Sequence, residues 1–175
     1  ISLPLYQRDI SWTLQKCIDL LNYQLWGKAP VSPISINVIN TVDSAVPQVS
    51  FIDREIISTI ERGQYSVVDG QQRLTTNYKA YCNHDDFRNI VLDLGKGEFT
   101  EVRDSIRSNQ IPVGILLNKE DTKLFEYTKA KSALGSADVL SVLLQVRSKM
   151  RNYNYTLNSA EDLTEDEQIE WFEVL

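Results

Sequence analysis

The sequence predicts an α/β (α+β) fold: a small mixed sheet with flanking helices and a helical C-terminal part. Three observations carry that prediction. Residues 65–76 read as a short strand, an abrupt turn at Asp69-Gly70 and the first turn of a helix, with no loop between them. Short β-branched or alternating runs recur on both sides, interspersed with segments whose apolar residues keep helical spacing. From residue 118 onward the patterns are helical alone, so residues 1–117 are expected to form the core and residues 118–175 a helical extension.

Composition narrows the function classes. The 175 residues suffice for a real core, and 42% hydrophobic with 24% charged residues is ordinary for a soluble globular chain. The net charge of −6 argues against a surface built to coat a polyanion, and leaves room for a local basic pocket. Cys17 and Cys82 have no CxxC or CxH neighbour, so neither zinc nor a disulfide framework is indicated. Both fall in apolar helical patterns and are expected as small buried hydrophobes. No apolar run reaches the roughly 18–20 residues a membrane helix needs, and no signal peptide is visible. The start at Ile1 and the stop within a helical pattern make the chain read as a piece of a longer, cytoplasmic protein.

In order along the chain, residues 1–10 are extended, with Pro4 confining them to an edge strand or lead-in. A helix opens at Ser11 or Thr13 and runs to about Trp26, where Gly27 stops it. Leu14, Ile18, Leu21 and Leu25 form its core-facing stripe. Residues 34–39 alternate and read as a strand with one buried face, and 49–52 as a further short strand. Asp53 is expected to cap a helix over 54–62, with Ile56, Ile57 and Ile60 on its apolar side. Val67 and Val68 suit a strand, Gly70 the turn, and residues 71–82 a helix with Leu74, Tyr78 and Tyr81 or Cys82 on one face. Residues 90–94 and 98–102 flank Gly95-Lys96-Gly97 as a hairpin. Residues 111–117 read as a central strand, and Asn118 as the cap of a helix that ends at Gly135. Ser136 starts a long amphipathic helix to about Tyr153. Thr164 with Glu167 three residues on makes a capping box for the last helix.

Several chemistries are missing. There is no G-x-x-x-x-G-K-[ST] loop, no G-x-G-x-x-G stretch and no G-x-S-x-G elbow. His84, the single histidine, sits in a polar turn and reads as a surface residue. Asp85 and Asp86 are adjacent, so their side chains diverge, and the acidic residues of 161–167 read as a solvated, capping run. What remains is two polar forks, Gln7-Arg8 and Gln71-Gln72-Arg73, with Asp69 between strand and helix. A helix N-terminus carries partial positive charge and unpaired N–H groups, and Arg73 in its first turn can grip a phosphate through two hydrogen bonds. Asp69 would repel a phosphate unless Mg²⁺ or a ribose hydroxyl bridges them. A plain helix start, capped by Asp69 and carrying a solvated Arg73, is the bland alternative. Three fork-shaped side chains at one helix start are more than a cap needs.

Pro4-Leu5-Tyr6-Gln7-Arg8 with Trp12, followed by Asp69-Gly70-Gln71-Gln72-Arg73-Leu74-Thr75-Thr76, resembles a bacterial family. It is the N-terminal domain of GmrSD-type modification-dependent restriction endonucleases, with the pattern P-x-Y-Q-R-x-x-x-W, then D-G-Q-Q-R-L-T-T. The resemblance implies a ParB/sulfiredoxin-like core whose DGQQR turn handles nucleoside triphosphates and couples their binding or hydrolysis to DNA restriction in phage defence. It implies nucleotide contacts from Gln7, Arg8, Gly70, Gln71, Gln72, Arg73 and Thr75. Asp69, Gln72 and Arg73 would be catalytic, Asp69 holding Mg²⁺ or orienting water and Gln72 positioning the attacking water. A C-terminal nuclease or effector domain would be the partner, with DNA reached through the full-length protein. Nothing in these residues resembles a nuclease domain of the HNH type. A DNA-binding or nicking ParB-like module and a non-enzymatic nucleotide sensor are the other classes. Arg73→Ala is expected to abolish nucleotide binding and leave the fold intact.

Overall fold

The computed structural model describes residues 1–7 and 11–175. Its elements in chain order are β1 (Ser2–Pro4), α1 (Leu14–Trp26), β2 (Ile34–Ile39), β3 (Gln48–Ser50), β4 (Gln64–Asp69), α2 (Gln71–Tyr81), β5 (Ile90–Asp93), β6 (Glu98–Glu101), β7 (Gln110–Pro112), α3 (Val113–Leu116), α4 (Asp121–Ala130), α5 (Ala137–Arg151), β8 (Leu157–Glu161) and α6 (Glu165–Val174). They fall into two units interleaved along the chain. The first comprises Ile1–Ser11, Val31–Thr75 and Tyr155–Leu175, and the second Trp12–Pro30 and Thr76–Asn154. Residues 118–154 thus belong to the second unit and 155–175 to the first. Among the described residues, no helix is long and apolar enough to cross a membrane.

The first unit is built on a five-stranded mixed sheet in the order β3-β1-β4-β2-β8. β2 lies antiparallel to β4 and parallel to β8. Leu3, Ile34, Ile36, Val49 and Val67 pack together on one side, with Leu74 from the start of α2 against them. The alternation in β2 does not mark a wet face, because Ser35 and Asn37 are only 1% and 3% exposed. Polar pairing replaces water at Asn37 and at the neighbouring Ser2, whereas Ser35 Oγ is enclosed with no partner among the described residues. Asn37 Oδ1 accepts from Leu163 N–H at 3.0 Å, Ser2 donates to Gln48 Oε1 at 2.7 Å, and Gln64 Nε2 donates to Ser2 Oγ at 2.7 Å. Buried polar groups persist in a fold chiefly when they are paired in this way. α6 opens with the expected capping box of Thr164 and Glu167.

Residues 54–62 form no helix. Arg54 takes a left-handed φ of 54°, and the chain doubles back to pair with β3. Ser50 N–H donates to Glu55 O at 2.8 Å, Ile57 N–H donates to Gln48 O at 2.9 Å, and Ile56 bridges Val49 while remaining 75% exposed. β-Branched side chains suit that extended pairing better than a helix.

In the second unit α1 keeps its expected bounds, with Thr13 accepting from Lys16 N–H. β5 and β6 form the expected hairpin, and β7 completes a sheet in the order β6-β5-β7. The apolar run 111–117 splits. Only Ile111 and Pro112 extend β7, which is an edge strand, and α3 follows at once. Asn118 caps no helix directly: its Nδ2 donates to Gly114 O, and its Oδ1 accepts from Glu120 N–H, one residue ahead of α4. α2 buries Thr76, Asn77 and Ala80; of the predicted face Leu74 and Tyr81 are partly buried, whereas Tyr78 is 51% exposed. Asn77 is buried because its amide pairs reciprocally with that of Gln24 at 2.8 and 3.0 Å. Cys17 is buried as expected, whereas Cys82 is exposed just beyond the end of α2.

Asp93, only 3% exposed, gives this unit an acid-sensitive point. Its Oδ2 accepts from Gln110 Nε2 at 2.8 Å, and its Oδ1 from the N–H groups of Gly95 and Lys96 at 2.9 and 3.1 Å. The Gln110 bond first, then those amides, hold the carboxyl below the usual range against its desolvation. A depressed folded pKa stabilises the protein fully above the unfolded value of about 3.9, and that contribution fades as pH falls through the folded value. Urea midpoints are therefore expected to fall steeply below about pH 4, and Asp93→Asn to flatten that limb while losing about 1–2 kcal/mol at pH 7. An unchanged acid limb in the variant would assign the sensitivity to other carboxylates.

Candidate functional site

The site is the turn where β4 becomes α2. Gly70 has φ +98°, which few residues with a Cβ adopt. A Cβ there would also run into the Ile34 side chain and stand 3.0 Å from Arg73 Nη2. The first helical hydrogen bond runs from Leu74 N–H to Gly70 O at 3.1 Å. The N–H groups of Gln71, Gln72 and Arg73 therefore precede the helical ladder, at the positive end of α2.

Arg73 is not solvated. Its Nη2 donates to Asp69 Oδ2 at 2.9 Å and to Pro33 O at 3.1 Å, and its Nη1 to Ser32 O at 3.1 Å. The Arg73 side chain is 13% exposed and that of Asp69 32%. The guanidinium thus ties the turn to the segment entering β2, and Asp69 faces an ion-pair partner. The two charges neutralise each other.

Gln7 reaches the same turn from the N-terminal segment. Its Nε2 donates to Val67 O at 3.0 Å and Val68 O at 2.5 Å, the last carbonyls before Asp69. Its Oε1 is enclosed and has no partner among the described residues, and the same holds for Thr75 Oγ1. Gln71 and Gln72 are half-buried in the first turn of α2. Arg8 lies outside the described residues. Tyr6, beside Gln7, donates to Gln168 Oε1 at 3.2 Å, and burial with the nearby Glu165 pushes its pKa up to about 12. It stays a neutral donor throughout the physiological range.

Arg54 was not legible as part of this site. It donates from Nη2 to Gln7 O at 2.5 Å. No group of three or more His, Cys, Asp or Glu capable of holding a metal occurs among the described residues. In the second unit a groove of about 380 Å³ is lined by Phe125, Leu144, Arg147 and Arg151. Arg147 there is consumed by Leu116 O, Asn118 O and Asp121, which pins α4 to α5.

A strand and a helix joined by one left-handed glycine, closed by an Asp–Arg pair and braced by a docked glutamine, define an α+β domain centred on a strand–turn–helix. The chain matches the family described as the GmrSD restriction endonuclease, N-terminal domain, over residues 1–175, and it belongs to that family. No curated protein is matched by the chain.

Proposed function

We propose that the chain binds a nucleoside triphosphate at the Asp69–Arg73 turn, as the regulatory N-terminal domain of a modification-dependent restriction or phage-defence protein. The docking of Gln7 onto Val67 and Val68 carries this reading, because it joins the two motif segments at one helix start. The N–H groups and dipole of α2, with the amides of Gln71 and Gln72, hold phosphate oxygens. The Asp69–Arg73 pair offers a cation to the phosphates and a carboxylate to a ribose hydroxyl or to Mg²⁺ that accompanies them. The enclosed, partnerless Gln7 Oε1 and Thr75 Oγ1 fit ligand hydroxyls or bound water. Asp69 is a single carboxylate, so Mg²⁺ fits here only when most of its ligands are phosphate oxygens and water. Bound in that way, it would supply charge neutralisation on the phosphates. Arg73 then turns from Asp69 toward phosphate, and Gln72 orients a water. A C-terminal nuclease or effector domain, acting on DNA, receives the signal.

A non-hydrolysing sensor is the second reading. The ion pair with Arg73 favours it, because it occupies the carboxylate a catalytic base would need. Thermal unfolding with ATP, GTP, CTP and UTP, each with and without Mg²⁺, tests the proposal. A ligand at a hundredfold excess over its Kd stabilises the folded state by about 2.7 kcal/mol, a shift of several degrees. Stabilisation by at least one nucleotide is expected, and no shift with any of them would overturn the proposal. Phosphate release by the stabilised protein separates hydrolysis from sensing.

A further inference from the structure

We propose that Arg54 binds a phosphate group beside Gln7, giving the site a second cation; this rests on the nucleotide reading above and adds a residue to it. Three observations meet at Arg54. The first is an unmet donor: its Nη1 is enclosed and has no partner among the described residues. Among the described residues its guanidinium makes one hydrogen bond, to Gln7 O, and no ion pair. Arg73 and Arg147, by contrast, each hold a carboxylate and two backbone carbonyls. An enclosed guanidinium nitrogen that no described carboxylate faces is costly, and an anion relieves that cost.

The second observation is backbone strain. Arg54 sits at φ +54°, where residues with a Cβ are uncommon. The bonds of Ser50 N–H to Glu55 O and Ile57 N–H to Gln48 O hold this turn in place. Strain kept by its surroundings clusters at ligand sites.

The third is the complementary atom. Gln7 Oε1 is an enclosed acceptor on the residue whose carbonyl Arg54 grips and whose Nε2 docks at the end of β4. A phosphate oxygen accepts from Arg54 Nη1, and an O–H donates to Gln7 Oε1. A nucleotide brings both through its phosphate and ribose, and hydrogen phosphate brings both in one ion.

The test compares the parent chain with Arg54→Gly and Arg54→Lys in thermal unfolding. The probes are inorganic phosphate, pyrophosphate and the four nucleoside triphosphates, at matched ionic strength. Glycine accepts φ +54° without strain, so Arg54→Gly is expected to fold at least as stably as the parent. Its nucleotide affinity should drop at least about tenfold, as loss of a charged hydrogen bond implies, with partial recovery in Arg54→Lys. A full nucleotide shift in Arg54→Gly would overturn the role of Arg54 and leave the nucleotide reading standing. Arg54-dependent shifts with phosphate or pyrophosphate, but none with nucleotides, would uphold the phosphate site and overturn the nucleotide reading. No shift of the parent with any probe overturns both.

Discussion

Gly70→Ala is expected to lose about 2–5 kcal/mol of stability, from left-handed strain and overpacking together, and with it any ligand response at the turn. The physical reason is double. The backbone at φ +98° disfavours a Cβ, and the space a Cβ would need is filled by the Ile34 side chain. Relaxing the clash would move β2 against β4 at the point where Ser35 pairs with Asp69. Gly63→Ala separates the two terms. Gly63 also has a positive φ, +83°, but nothing lies within 4 Å of where its Cβ would stand. It should lose only about 1 kcal/mol, the conformational part alone. Urea unfolding of the parent and both variants reads the difference. Equal losses at the two glycines would show that the Ile34 contact is not what fixes Gly70.

Arg73→Ala is expected to destabilise the first unit by about 2–3 kcal/mol, because it breaks a half-buried ion pair and strands two loop carbonyls. The fold expected to stay intact on this substitution would do so at lower stability, because the side chain is bound to Asp69, Ser32 O and Pro33 O. Arg73→Lys keeps the charge but cannot span three acceptors, and should lie between parent and Ala. A double-mutant cycle with Asp69→Asn isolates the pair. Zero coupling would mean that the carbonyl bonds carry the whole effect. A lost nucleotide response in Arg73→Ala therefore locates the ligand only after stability is matched, for instance by comparison at equal distance from the midpoint.

The strand–turn–helix was legible because its signals are local: β-branched residues, one glycine, then a helical pattern within a dozen residues. The meeting of Gln7 with Val67 and Val68 was not readable from spacing, since 60 and 61 residues separate them; the family resemblance implied it. The engagement of Arg73 was hidden because two of its acceptors are backbone carbonyls, which a sequence does not advertise. Ile56, Ile57 and Ile60 misled because helical spacing says nothing about a nearby strand edge, and β3 offered one. The run 111–117 is apolar throughout, and such a run suits strand and helix equally. β8 left no pattern at all. Its sequence Leu-Asn-Ser-Ala-Glu is largely exposed, and backbone pairing with β2 defines it. The same polar lettering in β2 meant the opposite, since Ser35 and Asn37 are buried.

The position of β8 sets an order of events during synthesis. Asn37 meets Leu163 across 126 residues, and Thr76–Asn154 leaves the ribosome in between. Until Leu157–Glu161 follows, β2 has an open flank in the nascent chain. Joining strands so distant in sequence is slow, and an unpaired flank invites other chains meanwhile. Truncation after Asn154 would therefore not trim a tail. It would leave a sheet permanently missing its last strand, with the aggregation hazard of a folding intermediate made lasting.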